Sequence, residues 1–150
     1  MPNETSAPTT AVVSASLDQA AKSAPAVLYF VATDCGSNPE AIPLVQSIYT
    51  ANEDKGKFFV VMNTDAEGAA KWAQENKTTF PIIPDPEKKI IDKYKVEFSQ
   101  TGVMVDSGLK ETKRFAGYGK SVLEDLNKSL ANGGEAAKVD LSGAPDMGFG

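Results

Sequence analysis

Apolar side chains fall along this chain in two patterns, short unbroken runs and stripes at helical spacing. The run Ala-Val-Leu-Tyr-Phe-Val-Ala-Thr (26–33) is continuous and rich in β-branched and aromatic residues, the signature of a strand covered on both faces. Phe58 to Met62 repeats it. Between them Ile42, Val45, Ile48 and Tyr49 recur at helical spacing and Gly56 follows, which predicts a helix with one apolar face. Residues 66–76 predict a second helix, Phe80 to Asp85 (FPIIPD) a short extended segment held by prolines, and Lys88 to Val96 another helix. Val103–Asp106 and Thr112–Phe115 flank Asp106-Ser107-Gly108 and read as an antiparallel hairpin. A last amphipathic helix carries Val122, Leu123, Leu126 and Leu130, with Gly133-Gly134 to stop it. Near the start, Leu17 to Ser23 predict a short helix with Ser16 as N-cap, broken at Pro25.

Early strands that alternate with helices imply parallel pairing through right-handed crossovers, and the late hairpin adds an antiparallel edge. The expected fold is α/β, a mixed central sheet with helices on both faces. At 150 residues the chain fits a single domain with a real core. A loose arm is expected over residues 1–11, which are rich in Pro, Ser and Thr, and the domain over 12–132. Residues 133–150 read as a Gly-rich, disordered tail with isolated Leu141, Met147 and Phe149.

The formal net charge of −5 argues against nucleic-acid partners and anionic membrane surfaces. With no histidine and a single cysteine, the chain has too few soft ligands for a zinc site or an iron–sulfur cluster. Neither a metal nor another cofactor is expected. The first residues lack a basic and apolar leader pattern, and Ala26 to Ala32 is too short to span a bilayer. A cytoplasmic location is the default expectation. Gly119-Lys120-Ser121 lacks the upstream glycine of a phosphate loop and reads as a helix-capping turn. Trp72 reads as core, and the Asp85-Glu87 and Asp106-Glu111 pairs as solvated turns.

The order of elements, with Cys35 just after the first long strand, resembles the thioredoxin-like superfamily over about Val12 to Ala131. Phe30, Ala32, Cys35 and Gly36 sit in matching places, Pro43 matches a helix proline, and Phe115-Ala116-Gly117 resembles the last strand. The segment FPIIPDPEKKIIDKYKV (80–96) resembles the extra unit of the TlpA-type thiol–disulfide oxidoreductases and the AhpC/TSA-type peroxiredoxins. The resemblance places the attacking thiol at Cys35, with Asp34, Gly36, Ser37 and Asn38 around it. It places the facing loop, where the family carries a cis-proline, at Ser99-Gln100-Thr101.

Several positions depart from that pattern. Asn38 stands where a resolving cysteine would be, Tyr29 where thioredoxins hold a buried acid, and Asp34 where they hold Trp. A peroxidase would carry Thr at 32 and Arg near 100, and the chain has Ala32 and Gln100, with its only arginine at 114. A classical CxxC dithiol enzyme is thereby excluded. For Cys35 the helix dipole favours the thiolate by about 0.3–1 kcal/mol, whereas the Asp34 charge at about 6 Å in water opposes it by roughly 0.7 kcal/mol. The two nearly cancel, so a modest nucleophile is expected.

Two functions remain open on these residues. The first is monothiol redox work through Cys35 on a protein thiol or disulfide client or a peroxide, which would make the chain a thiol-dependent oxidoreductase. The alternative is a non-catalytic module that docks a protein partner through the groove beside residue 35, the 99–101 loop and the tail.

Overall fold

The computed structural model describes residues 15–148, so the arm expected over 1–11 and Phe149 lie outside the described residues. Helix α1 (Leu17–Lys22) opens on a reciprocal cap, Ser16 Oγ accepting from Gln19 N–H while Gln19 Oε1 accepts from Ser16 N–H. Strand β1 (Ala26–Val31) is buried along its whole length and forms the middle of a five-stranded sheet. Helix α2 (Asn38–Asn52), strand β2 (Phe58–Met62), helix α3 (Ala66–Asn76) and strand β3 (Ile82–Pro84) follow. Then come helix α4 (Lys89–Lys93), strands β4 (Thr101–Val105) and β5 (Glu111–Ala116), and helix α5 (Lys120–Leu130).

The sheet order is β3-β2-β1-β4-β5, with β1 parallel to β2, β2 parallel to β3, and β4 antiparallel to both β1 and β5. This is the mixed, doubly covered sheet that the sequence predicts. The two faces follow the alternation of β1. Val27, Tyr29 and Val31 join Ile42, Val45, Trp72, Leu123 and Leu126 under α2, α3 and α5. Ala26, Leu28 and Phe30 join Ala20, Val61 and Tyr94 under α1 and α4. Trp72 is core, 6% exposed, with its ring tilted against that of Phe80.

Two segments differ from expectation. The helix predicted over 88–96 is only Lys89–Lys93. Its start is held by Asp85, whose carboxylate accepts from Ile90 and Ile91 N–H, and it ends where Lys95 takes a left-handed conformation, φ 53°. The last helix ends at Leu130 and is followed by left-handed Asn132 and Gly133, as its predicted glycine stop requires. The segment expected as a tail runs back along α5. Its Leu141 is 7% exposed within the main core cluster, and Ala137 O accepts from Asn127 Nδ2 at 2.8 Å. An isolated leucine in polar sequence carries no periodicity, so only its packing partners reveal where it goes.

Candidate thiol site

Strand β1 ends against loops on both sides, and Ala32 is the junction. Its carbonyl accepts from Cys35 N–H at 3.3 Å, and Asn38 N–H donates to Cys35 O at 3.1 Å. These turns carry the chain from the sheet into α2 and leave Cys35 half-buried just ahead of the helix, between exposed Asp34 and Gly36. Ala32 N–H donates to Ser99 Oγ at 2.9 Å, which ties the 99–101 loop to the same point. Thr101 Oγ donates to Phe98 O, and Gln100 N–H to Phe30 O. The two segments named from sequence, 34–38 and 99–101, therefore meet at the end of β1.

They are joined by two buried amides. Asn38, 6% exposed, donates from Nδ2 to Ala32 O at 3.0 Å and accepts at Oδ1 from Gln100 Nε2 at 2.8 Å. Ala32 O can only accept, so Asn38 must turn its NH2 toward it and its oxygen toward Gln100. Gln100 must in turn present its own NH2. Its Oε1 is left with no partner among the described residues, in a side chain with no exposure at all. Gln100 also sits at φ 63°, where the loop turns left-handed.

Two tyrosines complete the surroundings. Tyr29 is fully buried and donates to Gly117 O at 3.3 Å. Burial above all, then the charges of Tyr118 and Cys35, push its ionisation far above the ordinary phenol range, so it stays protonated and cannot serve as a base at neutral pH. Tyr118 donates to Glu40 Oε1 at 2.6 Å, on the first turn of α2, and the Ser37 side chain bonds the same phenol. The bond to Glu40, then burial, raises its pKa, and a charge on Cys35 adds to the shift. Sequence reasoning passed over Tyr118; its one local signal is an aromatic held between Gly117 and Gly119 directly after β5.

On the α4 side of the same junction lies a cleft of about 190 Å³, lined by Phe30, Ala32, Val61, Ile91, Val96 and Phe98. Phe98 is 64% exposed. Arg114 is engaged elsewhere, paired in two hydrogen bonds with Glu111 and donating to Tyr94 O on the outer strand.

The fold recurs among solved structures. A protein described as a putative protein disulfide isomerase from Bacteroides thetaiotaomicron is 18% identical, with a TM-score of 0.60 over 74% of this chain and 75% of that one. A thioredoxin-like protein solved in its oxidised form is 22% identical, with a TM-score of 0.59 over 73% and 79%. A secreted Mycobacterium tuberculosis disulfide oxidoreductase, described as homologous to E. coli DsbE, is 20% identical, with a TM-score of 0.53 over 73% and 82%. No curated protein matches the chain. The fold is therefore the thioredoxin-like one, shared with thiol–disulfide oxidoreductases. The AhpC/TSA family model matches residues 2–114, most of the length, and the chain belongs to the AhpC/TSA family.

Proposed function

We propose that this protein is a monothiol redox protein that forms a mixed disulfide with a protein client through Cys35. The observation that carries the reading is the half-buried Cys35 ahead of α2, in a chain with no second cysteine. The Cys35 thiolate attacks one sulfur of a client disulfide, forms the mixed disulfide and releases the other sulfur as a thiolate. Tyr29 holds its proton and Asn38 is an amide, so neither takes the proton of the Cys35 thiol. An external thiolate then attacks the client sulfur of the mixed disulfide, takes the client into a new disulfide and returns Cys35 as thiolate. A reducing compartment such as the cytosol supplies that external thiol. No helix among the described residues is long and apolar enough to cross a membrane.

Incubation of the reduced chain with glutathione disulfide, followed by intact mass, tests the reading. A single glutathione adduct that is absent in Cys35→Ser and removed by added thiol is expected. No adduct with either glutathione disulfide or a disulfide-bonded protein overturns it.

The buried Asn38–Gln100 pair favours a second reading, a docking module without chemistry, because it puts a structural hydrogen bond between the position where the resemblance expects a resolving cysteine and the loop where it expects a cis-proline. A purified partner that binds the native chain and Cys35→Ser equally, with no covalent species, decides for that reading.

A further inference from the structure

We infer that residues 135–148 form a strap that restrains the thiol site through Tyr118. The segment is bound along its length. Leu141 is buried in the same core cluster as Leu123 and Leu126, and partly buried Val139 and Ala144 pack against that cluster. Two backbone bonds then fasten it to the β5–α5 junction, Lys120 N–H to Pro145 O at 2.7 Å and Tyr118 N–H to Gly148 O at 2.8 Å. The fit depends on two glycines facing each other's neighbours. A Cβ on Gly119 would lie 2.9 Å from Asp146 O, and one on Gly148 would lie 2.9 Å from both Cε2 and Cζ of Tyr118.

That second contact gives the strap its reach. Cζ carries the phenol oxygen, which donates to Glu40 and bonds Ser37. Gly148 therefore lies so close to the end of the ring that holds the entry to α2, two residues beyond Cys35, that no Cβ fits between them. Packing on one side of Tyr118 and hydrogen bonding on the other make it a positioning residue. With the strap docked, Tyr118 is 6% exposed and Ser37 and Glu40 are held to it. With the strap released, the ring gains freedom, the turn carrying Cys35 loosens, and the thiol becomes easier to reach. The inference goes beyond the redox reading and does not depend on it.

The rate of Cys35 alkylation by iodoacetamide tests it, because alkylation needs only a reachable thiol and no redox cycle. Gly119→Ala crowds the backbone of residues 146–148, and Gly148→Val crowds the Tyr118 ring. Release is read separately as faster amide hydrogen exchange at Tyr118 and Lys120. Where the point variants leave those amides protected, deletion of residues 135–150 in a chain that keeps its circular dichroism takes their place. Released strap with alkylation faster by about threefold or more is expected, as for a local opening. Tyr118→Phe keeps the ring and loses its bonds to Glu40 and Ser37, so it should also raise the rate, and adding Gly119→Ala to it should change little further. Release with an unchanged alkylation rate, or full additivity of Tyr118→Phe and Gly119→Ala, overturns the inference.

Discussion

Gln100 Nε2 donates to Asn38 Oδ1 at 2.8 Å, across 62 residues of sequence and in the interior of the protein. The bond clamps the loop after α4 to the first turn of α2, and through Asn38 Nδ2 to the end of β1. Loss of one partner strands the other, and a buried amide without a partner costs about 1–3 kcal/mol. Asn38→Ala is therefore expected to lower the stability by about that amount, read from the urea midpoint. Gln100→Met should cost less, because it removes the partnerless Oε1 along with the bond. Equal stability of Asn38→Ala and the parent would refute the clamp.

The same position tests the one-thiol chemistry. Asn38→Cys puts a second thiol three residues after Cys35, on a turn already closed by the Asn38 N–H to Cys35 O bond. Oxidation with glutathione disulfide should then give an internal disulfide with Cys35, and intact mass should show both thiol hydrogens lost and no glutathione retained. A persistent mixed adduct in this variant would mean that the turn cannot bring the two sulfurs together.

Alkaline pH should unfold this protein through Tyr29. Its folded pKa lies above the unfolded value of about 10. The stabilisation is thus complete below pH ~10 and falls as pH rises beyond it, because the unfolded state loses a proton that the folded state keeps. Absorbance at 295 nm should show a phenol that ionises only with unfolding. Tyr29→Phe should remove part of the fall in urea midpoint between about pH 9 and 11; an unchanged pH profile counts against it.

Gly102 sets how closely β4 approaches the core. A Cβ there would lie 3.2 Å from Phe115 Cδ2, 3.2 Å from Tyr29 Cδ1 and 3.4 Å from Leu126 Cδ1. Three packed side chains would have to move together. Gly102→Ala is expected to destabilise by about 1–3 kcal/mol as overpacking, checked by thermal or urea denaturation. A neutral or stabilising outcome would show the core more yielding than its contacts indicate.

Much of this architecture was legible in residue order. Val27 to Val31 and Phe58 to Met62 are long apolar runs, and Ile42, Val45 and Ile48 repeat at helical spacing. Such patterns report burial directly, because hydrophobic burial acts on every residue of an element at once. The edges of α4 were not legible, since Asp85 capping Ile90 and left-handed Lys95 are single contacts with no repeat to reveal them.

For the candidate site the division is sharper. By itself the sequence determined the mixed sheet and the single thiol at Cys35, and its resemblance to the family implied Asn38 at the place of a resolving cysteine, Tyr29 at that of a buried acid and Ser99-Gln100-Thr101 at that of the cis-proline loop. Only the tertiary structure decided that Asn38 and Gln100 form a bonded pair, and that Tyr118 links α2 to Gly148. The physical reason is range. Periodicity is a property of neighbouring residues, whereas these hydrogen bonds join positions far apart in the chain and exist only once the core has brought their backbones together.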